Sequence, residues 1–203
     1  MTKTFTICAL SCVGLAASAA SASLIRPDSA TATSTFSGLY DIGNTIDGSG
    51  LPANFTPADA HATYTTNNHW TTANGDTIGE SATFYFNTPQ TLGVFHMWNH
   101  RSNGIAANPH YEVTLFDLIL RDSASNVLLS LTNVVAQPDV AVAQNFSFAQ
   151  TANVSSVQLV VRATANNNSS PYTGLAEVAF SVPAPGAAAL LALAGLTAAR
   201  RRR

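Results

Sequence analysis

The sequence predicts an all-β domain, a β-sandwich of the jelly-roll type, and three observations support this. Short runs of alternating apolar and polar residues recur at a spacing of roughly ten residues, which is typical of a sandwich rather than a parallel α/β fold. Turn-forming Gly, Pro, Asn, Asp and Ser residues separate these runs. Apolar stripes at helical spacing are missing from the same region.

The first strand candidates lie between residues 81 and 98. Residues 81–86 alternate as a strand does, and residues 87–89 predict its end because Pro89 has no backbone donor. Residues 91–98 predict the next strand. Its alternation places one set of side chains on a common face: Leu92, Val94, His96 and Trp98.

The later candidates complete the sandwich. Residues 111–120 form the longest one, and residues 127–131 are predicted to pair with it across a turn at 122–126. Residues 154–162 and 175–182 follow, and Phe146 with Phe148 precedes them. Within the longest candidate, the predicted common face consists of Val113, Leu115, Asp117 and Ile119.

Residues 1–22 have the pattern of a secretory signal peptide. Lys3 is followed by the apolar run 7–17, and Ala20-Ser21-Ala22 matches an A-x-A cleavage site. The predicted cut follows Ala22, with Ala19 as the alternative. The apolar run is shorter than the roughly 20 residues of a membrane span. We therefore expect export of the chain.

Residues 183–203 have the organisation of a sorting tail. A Val-Pro-Ala-Pro-Gly motif at 182–186 precedes the uncharged apolar stretch 187–199, and Arg200–Arg203 ends the chain. This order resembles the PEP-CTERM sorting signal, with Ala184 at the glutamate position of the motif. The resemblance implies a short apolar helix, transient transmembrane anchoring in the inner membrane, and processing by an exosortase-type enzyme. A plain C-terminal membrane tail is the alternative.

Removing the two ends changes the composition. Cys8 and Cys12 both lie in the signal peptide, so residues 23–182 have no disulfide and no Cys-based zinc site. This domain has four arginines, no lysine and eleven acidic residues, a formal charge of −7. Such a surface repels phosphate backbones, which excludes nucleic acid as a partner and favours solubility outside the cell.

Three ordered segments of the domain carry a second resemblance. The first is 30–35 leading to 44–48, the second is 82–86 leading through Leu92 to 97–99, and the third is 174–180. In this order they resemble the discoidin, or coagulation-factor F5/8 type C, domain. The resemblance implies a galactose-binding-like jelly roll over most of the domain assigned to residues 23–182.

Asp47 is the main candidate for a metal ligand. It lies with Ser49 in the Gly-rich loop 43–59, which offers the carboxylate, hydroxyl and carbonyl oxygens that calcium prefers. The resemblance implies that Asp47 and Glu177 hold a structural calcium ion joining this loop to the last strand. The alternative is a turn aspartate that caps its own backbone, with Glu177 exposed.

The candidate ligand-binding residues lie where a strand ends and the long loop 99–109 begins. They are Trp98, Asn99, His100 and Arg101. Exposed aromatic rings stack on sugar faces, and the other three side chains can donate hydrogen bonds to sugar hydroxyls. The alternative for Trp98 is core packing, since it continues the apolar face of its strand.

The histidines offer a weaker metal hypothesis. The candidates are His61, His69, His96, His100 and His110. No HExxH motif is present, so packed or loop histidines are the prediction.

The sequence offers no catalytic constellation. There is no GxSxG motif and no phosphate-binding glycine loop, and the chain has only three glutamates. The prediction is a non-enzymatic binding module at the cell surface or in the extracellular matrix, recognising polysaccharide or an envelope partner. A structural surface protein without a specific ligand and an extracellular glycan-active hydrolase are the alternatives.

Overall fold

Antiparallel strands make up most of the computed structural model, which describes residues 23–102, 111–165 and 171–182. Two 3-10 turns, Gly38–Tyr40 and Ile42–Thr45, follow the first strand. The strands are β1 Ser29–Ala32, β2 Trp70–Thr71, β3 Ser81–Asn99, β4 Val113–Arg121, β5 Val127–Val135, β6 Gln144–Thr164 and β7 Gly174–Ser181.

Two long strands, β3 and β6, contribute to both layers of the sandwich. The strand order is β2-β7-β3-β6-β4-β5, with β1 beside β3. The first half of β3 pairs with β1 and the second half of β6, whereas its second half pairs with β7 and the first half of β6. Phe116 of β4 packs against Phe95 and Phe146 at ring-centroid distances of 5.9 and 5.1 Å. These contacts cross between the layers, and the predicted β-sandwich is confirmed.

The core between the layers consists mainly of large apolar side chains. The largest fully buried ones include Trp70, Phe84, Phe95, Phe116, Phe180, Leu118 and Leu159. Burying one such side chain contributes about 1.5–3 kcal/mol. The strands therefore supply the stability that disulfides cannot give to a domain without cysteine.

The predicted end of a strand at residues 87–89 is wrong. β3 runs without a break from Ser81 to Asn99. Its pairing with β6 shifts between Tyr85 and Gln90, where β3 has more residues than its partner. Pro89 lies inside this irregular stretch, which does not require its missing amide donor.

The predicted faces of β3 and β4 are only partly correct. Leu92 packs in the main core with Phe95 and Met97, whereas Trp98 belongs to a smaller cluster with three alanines. The alternation changes because the pairing of β3 with β6 shifts between Leu92 and Val94.

In β4, Val113 lies in the main core with Phe116, Leu118 and Leu120 rather than on the face of Leu115. The pairing with β6 shifts on both sides of Leu115. The predicted pairing of β4 with β5 across the 122–126 turn is confirmed. The Asp122 carboxylate holds this turn by accepting the amides of Ala124 and Asn126, both at 2.9 Å.

The predicted signal peptide and sorting tail lie outside the described residues. Within the described residues, no helix has the length and apolar character needed to span a membrane.

Candidate functional site

Four aromatic rings and one hydroxyl line an open pocket of about 180 Å³, here called the aromatic pocket. Its lining residues are Phe36, Tyr64, Thr71, Tyr111 and Tyr172. Thr71 lies on β2, and the other four lie outside the strands. The sandwich therefore provides the floor of the pocket and the connecting segments provide its walls.

Backbone pairing brings these separate segments together. The Phe36 amide donates to the Thr71 carbonyl at 2.8 Å, and the Thr173 hydroxyl donates to the Tyr111 carbonyl at 3.1 Å. β2 pairs with β7 through Thr71 and Gly174. Hydrogen bonds to the end of the sandwich therefore position the segments that carry Phe36 and Tyr111.

The rings of the pocket support one another. Tyr172 packs edge to face against Phe36 and Tyr111, with centroid distances of 5.5 and 5.3 Å. Tyr64 stacks on Tyr40 at 5.2 Å with nearly parallel planes. Phe36 remains 50% exposed, so part of its ring is open to a ligand.

Three buried histidines, His61, His69 and His100, pack in a row next to Tyr64 and are here called the histidine stack. The His61 ring is edge-on to the His69 ring, and the His100 ring is tilted relative to it. The centroids of His61 and His69 are 4.8 Å apart, and those of His69 and His100 are 4.7 Å apart. The Tyr64 ring lies 4.8 Å from His100. Burial is the main cause that lowers the pKa of His100 to about 3 and holds the pKa of His69 well below its usual range. The histidine stack is therefore uncharged at neutral pH.

The contacts of His69, the middle ring of the histidine stack, suit packing rather than metal binding. His69 donates from Nδ1 to the Asn68 side-chain oxygen at 2.7 Å, because its Nε2 accepts the Arg101 amide at 3.1 Å. Both ring nitrogens of His69 are therefore occupied. Among the described residues, no three His, Cys, Asp or Glu side chains are placed to hold a metal ion.

The remaining histidines lie elsewhere. His96 is hydrogen-bonded to the side chains of Asn145 and Ser181, at 2.6 and 2.9 Å. His110 lies outside the described residues.

None of the four predicted ligand-binding residues lines the aromatic pocket, although His100 and Arg101 contact its lining residue Tyr64. Trp98 has no exposed surface, and its indole N–H donates to the Asp59 carbonyl at 2.9 Å. Its ring packs edge to face on Phe55, so the core-packing alternative describes its position. The ring has no face open for stacking on a sugar.

Asn99, His100 and Arg101 make internal contacts. The Asn99 side chain accepts the Val113 amide at 3.0 Å and donates to the Val113 carbonyl at 2.7 Å. His100 is part of the histidine stack. Arg101 donates from Nη1 to the His61 carbonyl at 2.7 Å, and its own carbonyl accepts the Tyr64 amide at 3.0 Å. Ligand binding by these residues stays a prediction.

The lining residues were missed by the sequence interpretation. One usable signal exists in the sequence. Phe36, Tyr64 and Tyr172 fall in connecting segments, outside the alternation that predicts buried strand positions. Tyr111 opens the 111–120 strand candidate, but the strand itself begins at Val113. The meeting of these four rings depends on tertiary pairing, which the alternation does not encode.

Asp47 and Glu177 lie at a junction between the 43–59 loop and β7. The Gly48 amide donates to Glu177 Oε2 at 3.0 Å, and Gly48 has φ of 80°, a left-handed conformation that favours glycine. Asp47 accepts the Ser49 amide at 2.7 Å, as the capping alternative predicts. Glu177 is fully buried, so the alternative that it is exposed is wrong. Burial raises the pKa of Glu177 to about 8.

The junction contains one incompletely satisfied acceptor and one cation. Glu177 Oε1 is buried and has no hydrogen-bond partner among the described residues. The Arg26 guanidinium lies 3.9 Å from this oxygen and donates to the Ile46 carbonyl. An orphaned carboxylate oxygen near a second carboxylate, Asp47, fits a hard cation such as calcium. Calcium at Asp47 and Glu177 stays a prediction.

Solved structures similar to this fold include carbohydrate-binding domains. The family 32 carbohydrate-binding module of Clostridium perfringens NanJ, in complex with galactose, gives a TM-score of 0.53 at 11% identity, covering 75% of this chain and 91% of that chain. A fucose-binding module from Streptococcus pneumoniae gives 0.56 at 15% identity, covering 79% and 95%.

A further neighbour binds a charged sugar. The family 32 module of AlyQ, in complex with 4,5-unsaturated mannuronic acid, gives a TM-score of 0.50 at 17% identity, covering 78% of this chain and 97% of that chain. No protein-family model matches the sequence, and neither does any curated protein sequence. The described residues therefore have the β-sandwich fold of family 32 carbohydrate-binding modules, as the resemblance to discoidin domains implied.

Proposed function

We propose that this chain is an exported, non-enzymatic carbohydrate-binding protein and that its aromatic pocket holds the sugar. The aromatic pocket is the observation that carries the proposal. Its rings offer flat apolar faces to the C–H faces of a sugar, while tyrosine and threonine hydroxyls can exchange hydrogen bonds with sugar hydroxyls. A mainly apolar concavity with a few polar groups is the usual form of a small-ligand site.

The size of the pocket suits one sugar residue. Its volume of about 180 Å³ is below the roughly 300–1,000 Å³ of sites for drug-sized ligands. A terminal sugar or a single residue of a chain can enter, and the rest of the glycan would lie over the surface.

The structural neighbours support this function. The NanJ module is solved with galactose, and the pneumococcal module binds fucose. These are binding domains rather than catalytic ones, in agreement with a non-enzymatic role. The hydrolase alternative requires two facing carboxylates, and none of the described lining residues carries one. A structural surface protein without a ligand remains the competing hypothesis.

The sequence ends support a place outside the cytoplasm. The 1–22 segment predicts export, and the 183–203 tail predicts transient inner-membrane anchoring followed by exosortase-type processing. The processed protein would act at the cell surface or in the extracellular matrix.

We also propose that a structural calcium ion binds between Asp47 and Glu177. The buried, unpartnered Glu177 Oε1 supports this, because a cation would satisfy that oxygen. The ion would hold the 43–59 loop on β7 and would take no part in sugar recognition.

A glycan array probed with the purified full-length chain tests the function. We expect binding to a defined set of glycans, and we expect Tyr172→Ala to weaken it at least tenfold, about 1.4 kcal/mol. Tyr85→Ala is the matched control, since Tyr85 is an exposed aromatic residue on β3 outside the pocket. A parent chain that binds no glycan, with or without calcium, would contradict the proposal.

A further inference from the structure

We infer that the aromatic pocket selects uncharged sugars and rejects uronic acids, sulfated sugars and other anionic glycans. This inference rests on the proposed function, because it concerns the ligand class of the same pocket. The fold alone does not decide the matter, since the AlyQ module of similar fold binds an unsaturated mannuronic acid. The charge of the side chains around the pocket determines whether it accepts anionic sugars.

None of the four arginines of the domain is among the described lining residues of the aromatic pocket. Residues 23–182 contain no lysine and four arginines. Arg162 pairs with Asp117 at 2.7 Å, and Arg121 donates to the Ser125 carbonyl at 3.2 Å in the β4–β5 turn. Arg26 is part of the junction with Glu177. None of these three lines the aromatic pocket.

Arg101 is the arginine that is hydrogen-bonded to a lining residue, Tyr64, through its backbone. Its guanidinium is hydrogen-bonded to the His61 carbonyl. Nη1 donates to this carbonyl at 2.7 Å, and the Arg101 backbone carbonyl accepts the Tyr64 amide at 3.0 Å. A bidentate arginine is the usual partner of a carboxylate or sulfate. The described lining offers no such group.

The histidine stack adds no positive charge at neutral pH. His69 and His100 are buried against Tyr64 and against each other, so protonation of either ring would place charge in a desolvated space. Burial also raises the pKa of Tyr64 and of Tyr111. Both phenols keep their protons, and the pocket can both donate and accept hydrogen bonds without carrying charge.

The stretches of sequence that precede Tyr111 and Tyr172 also lack formal charge. Residues 103–110, before Tyr111, and residues 166–170, before Tyr172, contain no Lys, Arg, Asp or Glu, and His110 is their one titratable side chain. The domain as a whole has a formal charge of −7. An anionic glycan would therefore meet net repulsion from the domain, and none of the described lining residues carries a positive charge to offset it.

Two polymers with one backbone test the inference: polygalacturonate and its carboxyl-reduced galactan, which keeps the same linkages without the charge. They are presented to the full-length chain alongside a panel of uncharged glycans and their sulfated or uronic counterparts, and affinities are measured at low and at physiological ionic strength. We expect each uncharged ligand that binds to be favoured at least tenfold over its anionic counterpart. We expect Phe36→Lys, which places a cation at a half-exposed edge of the pocket, to narrow that ratio.

The outcomes separate the two proposals. An anionic glycan that binds as tightly as its uncharged counterpart would overturn the selectivity and leave the carbohydrate-binding function standing. No binding to any member of the panel would remove the function and the selectivity together.

Discussion

The aromatic pocket and the Asp47–Glu177 junction are both built from connecting segments on the same sandwich, but they differ in charge. The pocket lining is four rings and a hydroxyl, whereas the junction combines Arg26 with two carboxylates. At the junction the Glu177 carboxyl group accepts the Gly48 amide, which joins the 43–59 loop to β7. The comparison teaches that ionisable side chains hold a loop on the sandwich at the junction, whereas the described lining of the aromatic pocket carries no formal charge.

Gly174 allows the strongest disruption of the scaffold beneath the pocket. A Cβ atom at this position would lie 1.9 Å from the Trp70 carbonyl oxygen, where β7 pairs with β2. Because this oxygen belongs to the backbone, Gly174→Ala must move one strand. We expect a loss of about 3 kcal/mol in the free energy of unfolding, the upper end of overpacking effects.

Denaturant unfolding measures that change. Gly38→Ala is the matched control, since a Cβ there meets no atom within 4 Å. An unfolding midpoint for Gly174→Ala equal to that of the control would show that the β2–β7 pairing is not tight.

Calcium tests the other region, the junction. If the ion binds at Asp47 and Glu177, it should stabilise the parent chain by about 2.7 kcal/mol at a concentration one hundred times its dissociation constant. Glu177→Gln should lose this response. Asp76→Asn, a change at an exposed aspartate in another loop, should keep it.

Thermal unfolding in calcium and in chelator gives the readout. Equal melting temperatures of the parent in both conditions would mean that Arg26 already supplies the positive charge of the junction. The calcium proposal would then be withdrawn, with no consequence for the aromatic pocket.

Acid should destabilise the folded protein through His100, one of the three residues of the histidine stack. Burial lowers the pKa of His100 to about 3, whereas an unfolded histidine titrates near 6.5. Below pH 6.5 the unfolded chain binds a proton that the folded chain does not, so stability falls as the pH falls from about 6.5 towards 3. Between pH 7 and pH 5 this residue should cost about 2 kcal/mol.

The effect is measured as a difference between two chains. Glu177 acts in the opposite sense, because burial raises its pKa and acid then favours the folded state. Because both chains contain Glu177, its contribution cancels in the difference. The free energy of unfolding of the parent should fall by about 2 kcal/mol more than that of His100→Gln between pH 7 and pH 5. Equal losses in the two chains would show that His100 titrates normally in the folded protein.

Several features of the fold could be predicted from the sequence because they depend on local pattern. Alternation and turn residues identified the sandwich and the β4–β5 hairpin. Local pattern failed where pairing is irregular: Pro89 does not end β3, and Leu92 and Trp98 lie on different faces. A bulge reverses the alternation, and the partner strand determines where a bulge forms.

The two candidate sites also differ in how far the sequence predicts them. The resemblance placed Asp47 and Glu177 in a common site, and the Gly48 amide does contact the Glu177 carboxylate. The aromatic pocket combines side chains from four separate segments, which only the backbone pairing of β2, β7 and Tyr111 brings together. No short motif marks such a site.

Nuclear magnetic resonance of the aromatic side chains tests the central claim, that an uncharged sugar occupies the aromatic pocket. Galactose and fucose are titrated into the full-length chain, and the ring signals of Phe36, Tyr64, Tyr111 and Tyr172 are followed. We predict saturable shifts in these four residues with at least one of the two sugars, while Tyr85 stays unchanged. Saturable shifts confined to other residues, or no shift with either sugar, would contradict the account.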